Sequence, residues 1–231
     1  MVSTVVHAAF ALALAAGLLG EYYDRRALAA VLAVVLLPEL DSFLGPVMPG
    51  AHRTVGHNLV FPAAVALLLY YDTRLRSVSV LRRRLARWTS ERSAERWIAV
   101  AWVAIFVHVF AHVALDWVHL DGVNALWPLR DRFYALSGEI VLSSADGFTQ
   151  TFVDVRVDPA TGSRQIDAGA GGTTATVHVS NPVEPRAPSE VADEPVDRRF
   201  PVASAGWRLY LIGVGLFTLV ARRLQSADPR Q

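Results

Sequence analysis

The run from Trp97 to Pro128, WIAVAWVAIFVHVFAHVALDWVHLDGVNALWP, constrains this chain more than any other stretch. It opens with about twenty almost wholly apolar residues, enough for a helix to cross a bilayer. Within it stand His108, His112 and Asp116, spaced by four, with His119 one turn beyond. At about 100° per residue the first three keep to one narrow stripe of a helix. Ionisable groups are costly in hydrocarbon, so such a stripe faces a bundle interior or a polar cavity and marks function. His112 and Asp116, one turn apart, are placed to share a divalent ion.

The rest of the composition agrees with a membrane setting. Hydrophobic residues make up 53% of the chain and mean hydropathy is +0.33, which suits a membrane protein better than a soluble enzyme. A net charge of +1 gives no global reason to expect a nucleic-acid partner. The absence of cysteine excludes disulfides, thiolate metal sites and a cysteine nucleophile. There is no lysine either, so every basic side chain is arginine.

Residues 1–20 are apolar but lack the basic start of a signal peptide, and Arg25 and Arg26 follow the run. That order predicts a retained helix with its N-terminus outside the cytoplasm, carrying one polar anomaly, His7. Ala27 to Pro38 is a second apolar run, short for a full span and ended by proline. Glu39 and Asp41 follow in a Pro/Gly-rich turn region. HRTVGHNL, residues 52–59, then leads into a third run ending near Tyr71. The arginine-dense segment 72–96 reads as a cytoplasmic loop, since basic loops between spans stay inside. A last apolar run, Gly206 to Ala221, precedes Arg222 and Arg223.

Between these runs lies a polar region, 130–205. GEIVLSSADGFTQTFVDVRVD and TATVHVS alternate apolar and polar residues as half-buried strands do. NPVEPRAPSEVADEPVD reads as a Pro- and acid-rich linker, and His178 as a structural residue. The expectation is a mainly α, polytopic membrane bundle of four to five spans with a small β-rich, partly disordered extracytoplasmic insertion. Its parts are a metal-site bundle (1–129), the insertion (130–205) and a last helix with a cytoplasmic tail (206–231).

Placing 72–96 in the cytoplasm fixes the other orientations by alternation. His7, Glu39, Asp41, His52, Arg53, His57, His112, Asp116 and His119 then all fall on the outer side. Several imidazoles and carboxylates together suit Zn²⁺ or Mn²⁺ better than Ca²⁺, which prefers oxygen alone. Such an ion makes hydroxide from bound water near neutral pH, and Arg53 suits an anionic oxygen.

The early His7, LLPELD, HRTVGHN and HVALDWVHLDGVNALWPL together resemble the LexA-binding, inner-membrane-associated hydrolase family, also described as membrane-bound metal-dependent hydrolases. The resemblance covers roughly 1–135. The family's LLPDxD pattern falls on Leu36 to Asp41, with Glu39 in place of the first aspartate. Its HRxxTHS pattern falls on His52 to Asn58, where Gly56 and Asn58 replace threonine and serine. Its HxxxD, glycine and WP elements fall on His112, Asp116, Gly122, Trp127 and Pro128. The metal ligands this implies are His7, Asp41, His52, His57, His112 and Asp116, and loss of the Thr and Ser hydroxyls is expected to alter the support around them.

Three readings follow. In the first, the protein is a multi-pass enzyme of the cytoplasmic membrane, a metal-dependent hydrolase acting at the outer face on a lipid-like or phosphoester substrate. Glu39 is its candidate general base and Arg53 orients the anion. In the second it is a metal or cation transporter using His108, His112 and Asp116, and His108 discriminates the two. In the third the histidines only satisfy one another.

Overall fold

The computed structural model describes residues 3–226 apart from positions 46, 49, 120, 145–146, 158–161, 168, 170, 182 and 184–201. Helix α1 (Thr4–Leu18) begins where the Ser3 hydroxyl accepts from the Val6 amide. Helix α2 (Arg25–Leu36) begins where the Asp24 carboxylate accepts from Arg26 and Ala27. Both caps satisfy amides that a first turn leaves without partners.

The chain does not stop at Pro38. A 3-10 helix, Leu37–Leu44, continues α2 with the proline in its first turn, where no amide donor is needed. The short run read from the sequence therefore becomes a 20-residue apolar stretch, Arg25–Leu44. Glu39 and Asp41 sit on helical turns and not in an irregular loop.

Helix α3 (Val60–Tyr70) runs into a π turn, Tyr71–Leu75. The arginine-dense segment is itself largely helical: α4 (Val80–Trp88) is capped by Ser79, and Asp72 accepts from Val80 and Leu81. Helix α5 (Glu91–His108), a π turn at Val109–Val113 and α6 (Ala114–Trp117) form one 27-residue stretch. The last helix, α7, is Gly206–Ser226. Among the described residues, Arg25–Leu44 and Glu91–Trp117 are the two helical stretches long and apolar enough to cross a membrane, against the four to five expected. α1 is apolar but only 15 residues long, and α7 carries arginines at both ends.

Helix α1 packs against α2, α5 and α7. The core between α1, α2 and α5 is built from small side chains: Ala11, Ala15, Ala27, Val31, Val100 and Ala104 are all buried. Small residues let helix backbones approach closely where water supplies no drive between them. The outward faces are apolar as well, with Leu67, Leu68 and Phe217 exposed by 68%, 69% and 74%. A helical protein apolar inside and out is built for a lipid surround.

The strand region is small. β1 (Ile140–Ser143) pairs with β2 (Gly147–Gln150), and β3 (Asp154–Val157) with β4 (Arg164–Asp167), as two separate antiparallel hairpins. Three of these strands match the alternating sequence, but TATVHVS forms none. Thr174 instead turns back, its amide and hydroxyl donating to Asp131 at 3.0 and 2.7 Å, and Val177 N–H donates to the Thr173 carbonyl. Most of the Pro- and acid-rich linker lies outside the described residues.

The α1–α7 contact yields a first prediction. A Cβ on Gly215 would meet the Ala9 carbonyl oxygen at 2.2 Å, whereas one on Gly213 meets nothing within 4 Å. Gly215→Ala is therefore expected to lose about 1–3 kcal/mol by overpacking, seen as a lowered Tm in detergent, while Gly213→Ala leaves the Tm unchanged or raises it.

Candidate metal centre

The centre is assembled where α5 gives way to the π turn Val109–Val113. Wide turns of this kind recur at functional sites. His112 lies in the turn and Asp116 one helical turn later, both buried. The Ala111 carbonyl, in the same turn, lies 2.8 Å from His7 Nδ1 on α1. His7 donates through Nδ1–H, which leaves Nε2 as a lone pair without a protein partner. A backbone acceptor on one imidazole nitrogen is the usual way to set the tautomer of a metal ligand.

Four candidate ligand atoms meet here. His57 Nε2 lies 2.9 Å from His112 Nε2 and 3.3 Å from Asp116 Oδ2. Asp116 Oδ2 is 3.6 Å from His7 Nε2 and 4.0 Å from His112 Nε2. Four atoms held at about 2.0–2.1 Å from a tetrahedral zinc are about 3.3 Å apart. The spacing therefore fits one small divalent ion, and the set of three imidazoles and one carboxylate fits its chemistry. The His7 and His112 rings are stacked, with centroids 4.0 Å apart.

Behind this set lies Asp41, on the 3-10 extension of α2. Its Oδ2 accepts from His57 Nδ1 at 2.8 Å and from the Gly56 amide at 3.2 Å, and its Oδ1 from His52 Nδ1 at 2.9 Å. The Ser42 hydroxyl also reaches His52 Nδ1, at 3.1 Å. Asp41, His52 and His57 form a second buried group with ligand atoms within 4.8 Å of one another, beside the group of His7, His112 and Asp116. Burial disfavours a charged His57, but the Asp41 charge and the hydrogen bonds to Asp116 and Asp41 outweigh it, and its pKa is pushed up to about 9. Protonated at both nitrogens, His57 points one N–H at Asp41 and the other toward His112 and Asp116. A cation in place of the second proton meets the same lone pairs.

Arg53 is wholly buried, although the sequence suggested a group reaching a substrate anion. Its Nη2 donates to Asp116 Oδ1 at 3.1 Å, and its Nη1 to the Gly122 carbonyl at 3.3 Å. Asp121 lies 3.6 Å from Nη1 and 3.0 Å from His119 Nδ1. The guanidinium thus fixes the Asp116 carboxylate from behind. Arg53 has φ of 62°, a left-handed conformation that costs a residue with a Cβ roughly 1–2 kcal/mol. The buried ion pair and the Asn124 amide, which donates to the Arg53 carbonyl at 2.9 Å, hold it there.

The two departures from the resembled motif have local explanations. At Gly56 a Cβ would lie 2.4 Å from Pro38 Cα, so the close approach of the HRTVGHN loop to the 3-10 helix excludes a side chain. At Asn58 the side-chain oxygen accepts from the Phe61 amide at 3.0 Å and caps the start of α3.

His7, Asp41, His52, His57, His112 and Asp116 are thus brought together, with Arg53 against them. Glu39 is half-buried and belongs to neither ligand group. His108 lines an apolar groove beside the centre, and His119 joins the outer ring around Arg53. His178 is in neither group. Sequence reasoning singled out neither Ser42 nor Asp121, although each lies within two residues of a residue that it did. It also passed over Arg208, 7% exposed on α7, whose charge reaches Arg53 and Asp116. An arginine two residues into an apolar helix was the available signal.

The model of the YdjM inner membrane protein family matches residues 1–177 of the 231. No curated protein and no solved structure matches the chain.

Two predictions come from this geometry. Arg53→Ala strands a buried carboxylate and is expected to cost about 3–5 kcal/mol of stability, read from denaturant unfolding. For His57 the two protonation effects oppose each other. With chelator present, the stability given by the imidazolium is complete below pH 6.5 and is lost as pH rises through about 9. Zn²⁺ affinity moves the other way and rises over that window, because the ion displaces the proton. Thermal melts with EDTA and with Zn²⁺, from pH 6 to 9.5, check both signs.

Proposed function

We propose, from the premise that this chain belongs to the YdjM inner membrane protein family, that it is a membrane-embedded metal-dependent hydrolase acting at the extracytoplasmic face. The observation that carries the reading is the convergence of His7, His57, His112 and Asp116 at 2.9–4.0 Å, with Asp41 and the Ala111 carbonyl fixing two of the imidazoles.

These four residues would hold Zn²⁺ or Mn²⁺. When bound, the ion supplies hydroxide near neutral pH and polarises a carbonyl or phosphoryl oxygen. Around it the chain's own groups have separate tasks. Asp41 accepts from His57 and His52, keeps both rings oriented and raises the basicity of His57. Arg53 holds the Asp116 carboxylate in place. His52 Nε2, which has no hydrogen-bond partner, would accept a hydrogen bond from a hydroxyl of the substrate or from water. Glu39, whose charge is felt at His7, would serve as the general base.

The outer-face assignment rests on the arginine-rich 72–96 segment, whose α4 carries Arg82, Arg83, Arg84 and Arg87 and belongs on the cytoplasmic side. α1, α3 with its π turn, and α7 would complete a multi-pass bundle around the two membrane-length stretches. The transporter reading needs His108 to extend a polar path. His108 instead borders an apolar groove, which favours the enzyme.

The test is elemental analysis of detergent-purified protein, with hydrolysis of a chromogenic phosphodiester measured on the same samples. Wild type is expected to carry stoichiometric zinc or manganese, and His112→Ala and Asp116→Ala to lose both metal and turnover while remaining helical by circular dichroism. Asp41→Asn is expected to weaken metal binding about 10–100-fold. A folded wild type that takes up neither ion after reconstitution sinks the reading.

A further inference from the structure

We infer that the apolar groove beside the centre holds one acyl chain of a membrane lipid, so that the substrate of the proposed hydrolase is a lipid; the inference rests on that reading for the word substrate. The groove, about 310 Å³, lies between the end of α2, the start of α3 and α5. That volume is at the lower end of ligand pockets, about 300–1,000 Å³. His108 is the one polar side chain among its lining residues.

Three features select an acyl chain over other occupants. First, the rim is formed by Leu37, Phe61 and Val65, exposed by 57%, 45% and 53%. Leu37 belongs to one membrane-length stretch and His108 to the other. The mouth therefore opens toward hydrocarbon. Water has no partners on such walls, while an alkyl chain gains contacts on all of them.

Second, the inner wall adjoins the centre. Pro38, Gly56 and His108 line it and precede Asp41, His57 and His112 by three, one and four residues. The Gly56 amide that donates to Asp41 is part of this wall, so a single backbone separates groove from ligands. The close approach of Gly56 to Pro38 keeps it that thin.

Third, His108, the one polar side chain of the lining, has its ring centroid 6.2 Å from that of His112, so the groove's polar end lies on the side of the ligand residues. With the chain in the groove, the linkage between chain and headgroup would lie near His108, one helical turn from His112.

The test uses the full chain in phosphatidylethanolamine/phosphatidylglycerol vesicles doped with a phospholipid carrying a diazirine in mid-chain. After irradiation, labelled residues are mapped by mass spectrometry and zinc content is measured on the same sample. Label is expected on Phe61, Val65 and Ile105, and to fall about tenfold there in Val65→Trp, which fills the mouth. Zinc content should be unchanged. Ile105→Trp, which fills the groove from α5, is the second variant should the first not fold. His108→Leu should keep both groove label and zinc, yet slow cleavage of long-chain lipid more than of a water-soluble phosphodiester. Label spread evenly over Leu67, Leu68 and Phe217 and insensitive to either tryptophan overturns the inference and leaves the metal centre standing. Groove label without any bound zinc supports the chain site and instead sinks the hydrolase.

Discussion

Asp116 divides its two oxygens between opposite partners, and the rest of the site depends on that division. Oδ1 is held by Arg53, and Oδ2 faces His7, His57 and His112. A lone charge buried at that depth would have nothing to compensate the water it lost. The guanidinium supplies that compensation, and the carboxylate it holds faces the three imidazoles. Arg53 adopts a left-handed backbone to deliver that charge, so the HRTVGHN loop stores local strain in exchange for the central ion pair. Removing either partner leaves the other charge buried and alone, a far larger loss than the strain.

The helical frame serves the same end. α1 brings His7 to the Ala111 carbonyl, and α1 can lie that close to α2 and α5 because most of the buried residues between them are alanine and valine. The π turn in the α5–α6 stretch places Ala111, His112 and Asp116 on the side that α1 and the loop can reach. The 3-10 continuation past Pro38 does the same for Asp41. Both irregular turns lie within stretches that are otherwise apolar and regular, as expected where backbone geometry is set by a site more than by propensity.

Much of this was legible because membrane helices are so restricted in what they carry. Six residues came together as the motifs suggested, since a histidine or aspartate in an apolar run has few places to go. Less legible was anything set by tertiary approach. Arg53 reads as a substrate-binding cation in one dimension and is sealed behind Asp116 in three. Pro38 reads as a stop, but a 3-10 turn accommodates it. TATVHVS alternates like a strand, yet Asp131, more than forty residues earlier, captures Thr174 and turns the segment back. Distant partners of that kind leave no periodic mark.

Gly56 also says something about how such a sequence can change. The resembled motif has threonine there, yet no side chain fits against Pro38 as the two segments now lie. A threonine at position 56 would push the 3-10 helix away and draw Asp41 off His57. The glycine therefore sets the spacing between the HRTVGHN loop and the 3-10 helix, and through that spacing the reach of Asp41 to the ring it orients.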